Sequence, residues 1–86
     1  MMWTSFRTRL FSVFFAGAAV QLAPVNRARK RLVVSVSSGT IYLGGDNTVT
    51  ATNGFAIPST NLMVITAQGE VWATSSGGAI SCLEEF

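Results

Sequence analysis

Few residues of this chain could do chemistry. It has no histidine, which removes the commonest general base and metal ligand near neutral pH. Cys82 is the single cysteine. With no imidazole to take its proton it is a poor nucleophile, and with no second cysteine it forms no internal disulfide. Ile80, Cys82 and Glu84 alternate as one face of a strand would, so Cys82 reads as a small buried hydrophobe. The carboxylates are Asp46, Glu70, Glu84 and Glu85. Asp46 and Glu70 could meet in space, but a lone carboxylate pair is a weak mark of glycoside hydrolysis. Asp46, Asn47 and Asn53 offer oxygens to calcium, yet one carboxylate makes a poor site and turn-forming Asx side chains explain them better. Gly44-Gly45 and Gly77-Gly78 suit turns and match no phosphate-binding spacing. No catalytic, cofactor-binding or metal-ligating residue is assigned, and no enzyme is expected.

What remains is charge and aromatic surface. All six basic residues, Arg7, Arg9, Arg27, Arg29, Lys30 and Arg31, precede all four acids. Such a split would let one end of a subunit meet the other end of a neighbour, and a solvated rim of strand-end charges accounts for it at least as well. Arg27, Arg29, Lys30 and Arg31 form the densest cluster. It could meet phosphate or an acidic protein surface, or act as gatekeeping charge ahead of a sticky strand. No aromatic residue interleaves with it, so a base-stacking platform is unsupported and a nucleic-acid partner is not expected. Tyr42 and Trp72 sit inside apparent strands and suit the core or a subunit contact. Trp3, Phe6 and Phe86, near the termini, join the four basic residues as candidate interface positions.

The elements that position these residues read as strands. In residues 31–45, Leu32, Val34 and Val36 share one face of a strand, and Ile41 and Leu43 one face of the next. Ser37-Ser38-Gly39 supplies the turn between them, and the stretch is expected to form a hairpin. Asp46-Asn47 and Asn53-Gly54 are turn signals, and Thr48–Thr52 is a short edge strand or an ordered loop. Phe55–Ile57, Asn61–Thr66, Glu70–Thr74 and Ala79–Leu83 follow as strands between Pro58, Gln68-Gly69 and Ser75–Gly78. Turns thus recur about every 8–12 residues with no helical stripe after residue 24. The expectation is an all-β chain, a small antiparallel β-sandwich or barrel with little or no helix.

Residues 1–24 have a basic start and an apolar run, as a secretory signal does; the run is shorter than the about 20 residues of a spanning helix. Phe11, Val13 and Phe15 nevertheless alternate, as do Val20 and Leu22. One bent strand or two short ones are expected, with Gly17 at a bulge or corner, and a secreted protein with a cleaved signal is the lesser alternative. The organisation is an N-terminal arm at 1–10 and one β-sandwich domain at 11–86. Hydrophobic residues make up 49% and charged residues 12% of the 86. Soluble domains average about 25% charged, so other copies or other proteins are expected to cover part of this surface.

Val20-Gln21-Leu22-Ala23-Pro24, Asn26 and Arg31–Val34 are followed by Gly39–Gly45, Thr52–Pro58 and Gly69–Ala73, then a Ser/Gly turn and a last strand. In that order and spacing the chain resembles a small β-sandwich found among virion structural proteins of tailed bacteriophages. The Met1–Phe6 head and Phe14-Phe15 are more apolar than that family suggests. The resemblance implies a non-enzymatic, homo-oligomeric accessory component located in the virion. It would decorate or cement the capsid or seat a fibre, with the major capsid protein or neck and tail proteins as partners, and neither cofactor nor membrane is implied. A portal, neck or tail connector is the alternative within the same setting. A carbohydrate- or surface-binding module using Tyr42 and Trp72 is the alternative outside it.

Overall fold

A computed structural model of the chain describes residues 8–86. These form eight strands and no helix: β1 Thr8–Phe14, β2 Val20–Ala23, β3 Arg31–Ser38, β4 Ile41–Gly44, β5 Phe55–Ile57, β6 Leu62–Ile65, β7 Val71–Thr74 and β8 Ala79–Glu85. Period-two alternation drives their formation. In β3, Leu32, Val34 and Val36 are buried while Arg31, Ser35 and Ser37 are exposed. Burying each such apolar side chain contributes about 1.5–3 kcal/mol.

The strands pair antiparallel, first with last: β1 with β8, β2 with β7, β3 with β6 and β4 with β5. The chain is therefore one long hairpin with the β4–β5 loop at its tip. Rolling that hairpin adds pairing of β3 with β8 and β4 with β7. The product is two four-stranded sheets, ordered β1-β8-β3-β6 and β2-β7-β4-β5. An eight-stranded double sheet built in this way is a jelly roll. Leu32, Val34, Val36, Ile80 and Cys82 of the first sheet join Leu22, Ile41, Leu43, Ile57, Val71 and Ala73 of the second in one core, with Phe15 from the β1–β2 corner. The all-β sandwich expected from the turn spacing is the observed fold.

Two expectations change. Residues 31–45 are not a hairpin, because β3 and β4 lie in different sheets. Gly39, at φ 72°, carries the chain across, and a side chain there would come within 2.9 Å of the Gly78 backbone. The same Ser-Gly chemistry thus serves a corner rather than a tight return. Thr8–Leu10, assigned to the arm, belong to β1 and pair with Glu85, Glu84 and Leu83. Of the two alternatives for Thr48–Thr52, the loop is the one observed. At residues 15–19 the chain turns between two strands in separate sheets, with Gly17 at φ 97°.

Candidate functional site

The basic cluster is divided by the fold. Arg29, 1% exposed, is no surface cation, which corrects its place among the interface candidates. Its Nη1 donates to the Pro24 carbonyl at 3.0 Å and to Glu84 Oε2 at 3.2 Å; its Nη2 donates to the carbonyls of Ala67 and Gly69 at 2.8 and 2.6 Å. One guanidinium thus ties the β2–β3 connection, the β6–β7 connection and β8 together. The physical reason lies in β8. Glu84 shares the inward face with Ile80 and Cys82, and a buried carboxylate is tolerated only when paired. Arg9 is its second partner, with Nε 2.8 Å from Oε1, and its guanidinium lies 4.2 Å from the Phe11 ring centre. Arg31 pairs with Glu85 at 2.6 Å. Arg27 and Lys30 are exposed.

Three of the five described basic residues, Arg9, Arg29 and Arg31, therefore meet acids within their own chain, which accounts for much of the charge split without a neighbour. Trp3 and Phe6 lie outside the described residues, and Phe86 is half-buried. Asp46 and Glu70 are engaged separately. Asp46 Oδ1 accepts from the backbone and hydroxyl of Thr48, and those bonds hold its carboxyl below the usual carboxylate range. Glu70 Oε1 accepts from Trp72 Nε1 at 2.9 Å and Gln21 Nε2 at 3.0 Å. Burial pushes the Cys82 thiol up to about 12. Among the described residues no three His, Cys, Asp or Glu side chains come close enough to hold a metal ion.

Two surfaces stand out instead. The first is the outer face of sheet β1-β8-β3-β6. Register aligns Leu10, Leu83, Val33 and Val64 in one row across all four strands. Beside it run Ser12, Ser81, Ser35 and Leu62, and Phe14 lies beyond. Leu10, Phe14, Leu62 and Val64 are 74, 84, 61 and 48% exposed. With the half-buried Val33 and Leu83 they leave on the order of 500 Å² of apolar surface, near the top of the roughly 300–600 Å² of a monomer's largest patch. The charges on this face are Arg31 and Glu85, which pair with each other. None of these apolar residues was a candidate from the sequence. The alternation that buries one face of β6 exposes the other, and Leu62 and Val64 on that other face were the available signal.

The second surface is a cleft of about 420 Å³ on the outer face of sheet β2-β7-β4-β5. Tyr42 and Thr74, paired across β4 and β7, form part of its floor; the 47–51 loop and the Gly17 corner with Ser75 and Ser76 form its walls. No charged side chain lines it. Trp72, grouped with Tyr42 from the sequence, is half-buried on the same face but does not line the cleft.

No protein-family model matches the chain, and no curated protein matches it in sequence. Among solved structures, the crystal structure of a cupin-2 domain containing protein from Shewanella frigidimarina NCIMB 400 superimposes with a TM-score of 0.60. The two are 15% identical over 100% of this chain and 76% of that one. At that identity the likeness shows the fold. Jelly rolls of this kind serve capsid, lectin and cupin domains alike, and function has to be argued from the surfaces.

Proposed function

We propose that this chain is a non-enzymatic structural subunit that works as a multimer in the virion of a tailed bacteriophage, decorating or cementing the capsid or seating a fibre. The observation that carries the reading is the apolar outer face of sheet β1-β8-β3-β6, and its occupant is a second copy of the chain. A stable contact buries roughly 800 Å² per partner, and the apolar patch together with the serine row beside it approaches that area. The face is also self-complementary. Its charges are one cation and one anion, Arg31 and Glu85 on neighbouring strands, so a two-fold axis running along the strands between β3 and β8 would bring Arg31 of each copy to Glu85 of the other.

The biological setting comes from the sequence resemblance to phage virion proteins. The mechanism is burial of apolar area, and repetition around a symmetric shell adds avidity. Light scattering of the purified full chain tests the self-association, and mass spectrometry of purified particles, quantified against the major capsid protein, tests the setting. A dimer or higher oligomer that is also recovered in particles is expected. A chain that stays monomeric at high concentration and is absent from particles overturns the proposal.

A further inference from the structure

We propose that the cleft over Tyr42, on the side of the sandwich opposite the self-association face, binds an uncharged saccharide unit. Its volume of about 420 Å³ lies within the roughly 300–1,000 Å³ of small-molecule sites. The lining narrows the class of ligand. With no charged side chain present, a phosphate, a metal ion or a carboxylate would enter without a countercharge, at a high desolvation cost. A purely hydrocarbon ligand would strip water from the polar groups of Tyr42, Asn47 and Ser76 in the lining with nothing in return. A sugar ring answers both conditions: its C–H face can lie against the Tyr42 ring, and its hydroxyls both donate and accept.

The polar groups are divided in a way that suits this use. Thr74 Oγ1 donates to the Gly17 carbonyl, Thr48 Oγ1 to Asp46, and Ser75 Oγ accepts from the Gly78 amide at 2.9 Å. Tyr42, Asn47 and Ser76 also line the cleft, and their side chains make no hydrogen bond among the described residues, which leaves them for a ligand. Both walls are preformed. The loop is laced by Asn53 Oδ1 to the Thr50 amide at 2.7 Å and Asn53 Nδ2 to the Thr48 carbonyl at 3.2 Å. Val49 anchors it, 7% exposed, against Gly44 and Gly54, where an added Cβ would lie 2.6 and 3.0 Å from Val49 side-chain atoms. Opposite, the Gly17 amide donates to the Ser75 carbonyl at 2.9 Å. Little ordering entropy is therefore left to oppose binding.

The test is amide-resolved NMR of the full chain titrated with the methyl glycosides of glucose, galactose, mannose, rhamnose and N-acetylglucosamine at millimolar concentration. The expected result is saturable shifts at residues 47–51 and 75–76 with at least one glycoside. Ala51→Trp, at an exposed loop position, should plug the cleft and abolish them, with the rest of the amide spectrum preserved. Val64→Lys, on the opposite face, should leave them intact, so loss of self-association and loss of saccharide binding are separable. No shift at these residues with any of the five, or shifts that persist in Ala51→Trp, overturns the proposal.

Discussion

Arg29 and Glu84 meet inside the sandwich, Nη1 3.2 Å from Oε2, with both side chains buried. Removing one member of such a pair strands the other charge. Glu84→Gln is expected to cost about 3–5 kcal/mol, a large share of the roughly 4–13 kcal/mol that a chain of this length can hold. Replacing both, Arg29→Met with Glu84→Leu, should recover only part of the loss. The carbonyls of Pro24, Ala67 and Gly69, which Arg29 also serves, would remain without a donor. Urea unfolding of the two variants checks both statements.

The same pair marks where sequence reasoning reached and where it stopped. The alternation of Leu32, Val34 and Val36 identifies an inward face correctly, and that of Ile80, Cys82 and Glu84 a shared face whose direction the acid left open, because side-chain alternation is a local property of a strand. Partner choice is not local. Ser37–Gly39 looks the same whether the chain returns beside β3 or crosses to the other sheet, and here it crosses. Arg29, amid exposed charges, carries no local sign of burial, since the carbonyls that hold it come from residues 24, 67 and 69. The usable signal was Glu84 itself: a carboxylate in phase with Ile80 and Cys82 demands a buried cation. The cleft over Tyr42 was out of reach because its walls come from the 47–51 loop, the Gly17 corner and the Ser75 turn, segments brought together only by rolling the hairpin.

Cys82 should be silent to thiol reagents in the native protein. Burial raises its pKa to about 12 from an ordinary 9.0, so thiolate is scarce at neutral pH. The shift has a consequence for stability. An unfolded chain releases this proton near 9.0, whereas the folded chain holds it to about 12. The contribution is complete below pH 9 and is lost as pH rises toward 12. Alkylation should track global unfolding, and in Cys82→Ala the decline of stability over that alkaline window should be shallower than in the wild type, as urea titrations at stepped pH would record.

At the tip of the rolled hairpin, Asp46 accepts two hydrogen bonds from Thr48 and its carboxyl titrates below 3.8, the side-chain bond being the larger cause. Its contribution is present above pH 3.8 and disappears as pH falls through the lowered folded value. Thr48→Val removes the hydroxyl and leaves the backbone donor. The Asp46 pKa should then move back toward 3.8, read directly by carbon-detected NMR titration of the carboxyl group.

Thr60 is a β-branched residue at φ 65°, a conformation that L side chains resist by about 1–2 kcal/mol. The turn is held there by its pairing to β3: the Thr60 amide donates to the Val36 carbonyl and the Val36 amide to the Asn61 carbonyl, each at 2.9 Å. Asparagine tolerates this conformation. Thr60→Asn is expected to stabilise the protein by about 1 kcal/mol, a rise of roughly 4–8 °C in Tm for a domain of this size, measurable by scanning calorimetry.

Val64 is the end of the apolar row that begins at Leu10 and crosses the whole sheet. It is exposed within a single copy, 48%, so a charge there should alter the monomer's stability by no more than about 0.5 kcal/mol. In a face-to-face pair the same charge would be desolvated against another apolar row, with no acid near it but the already paired Glu85. Val64→Lys should therefore convert the multimer to monomers while the fold survives, and Leu10→Lys, at the far end of the row, should do the same. Replacing Lys30 or Arg27 by alanine, outside the row, should leave the assembly unchanged. Sedimentation velocity on the four variants separates an interface on this face from one built on the basic cluster: only the first is broken by changes in the row and indifferent to changes in the charge.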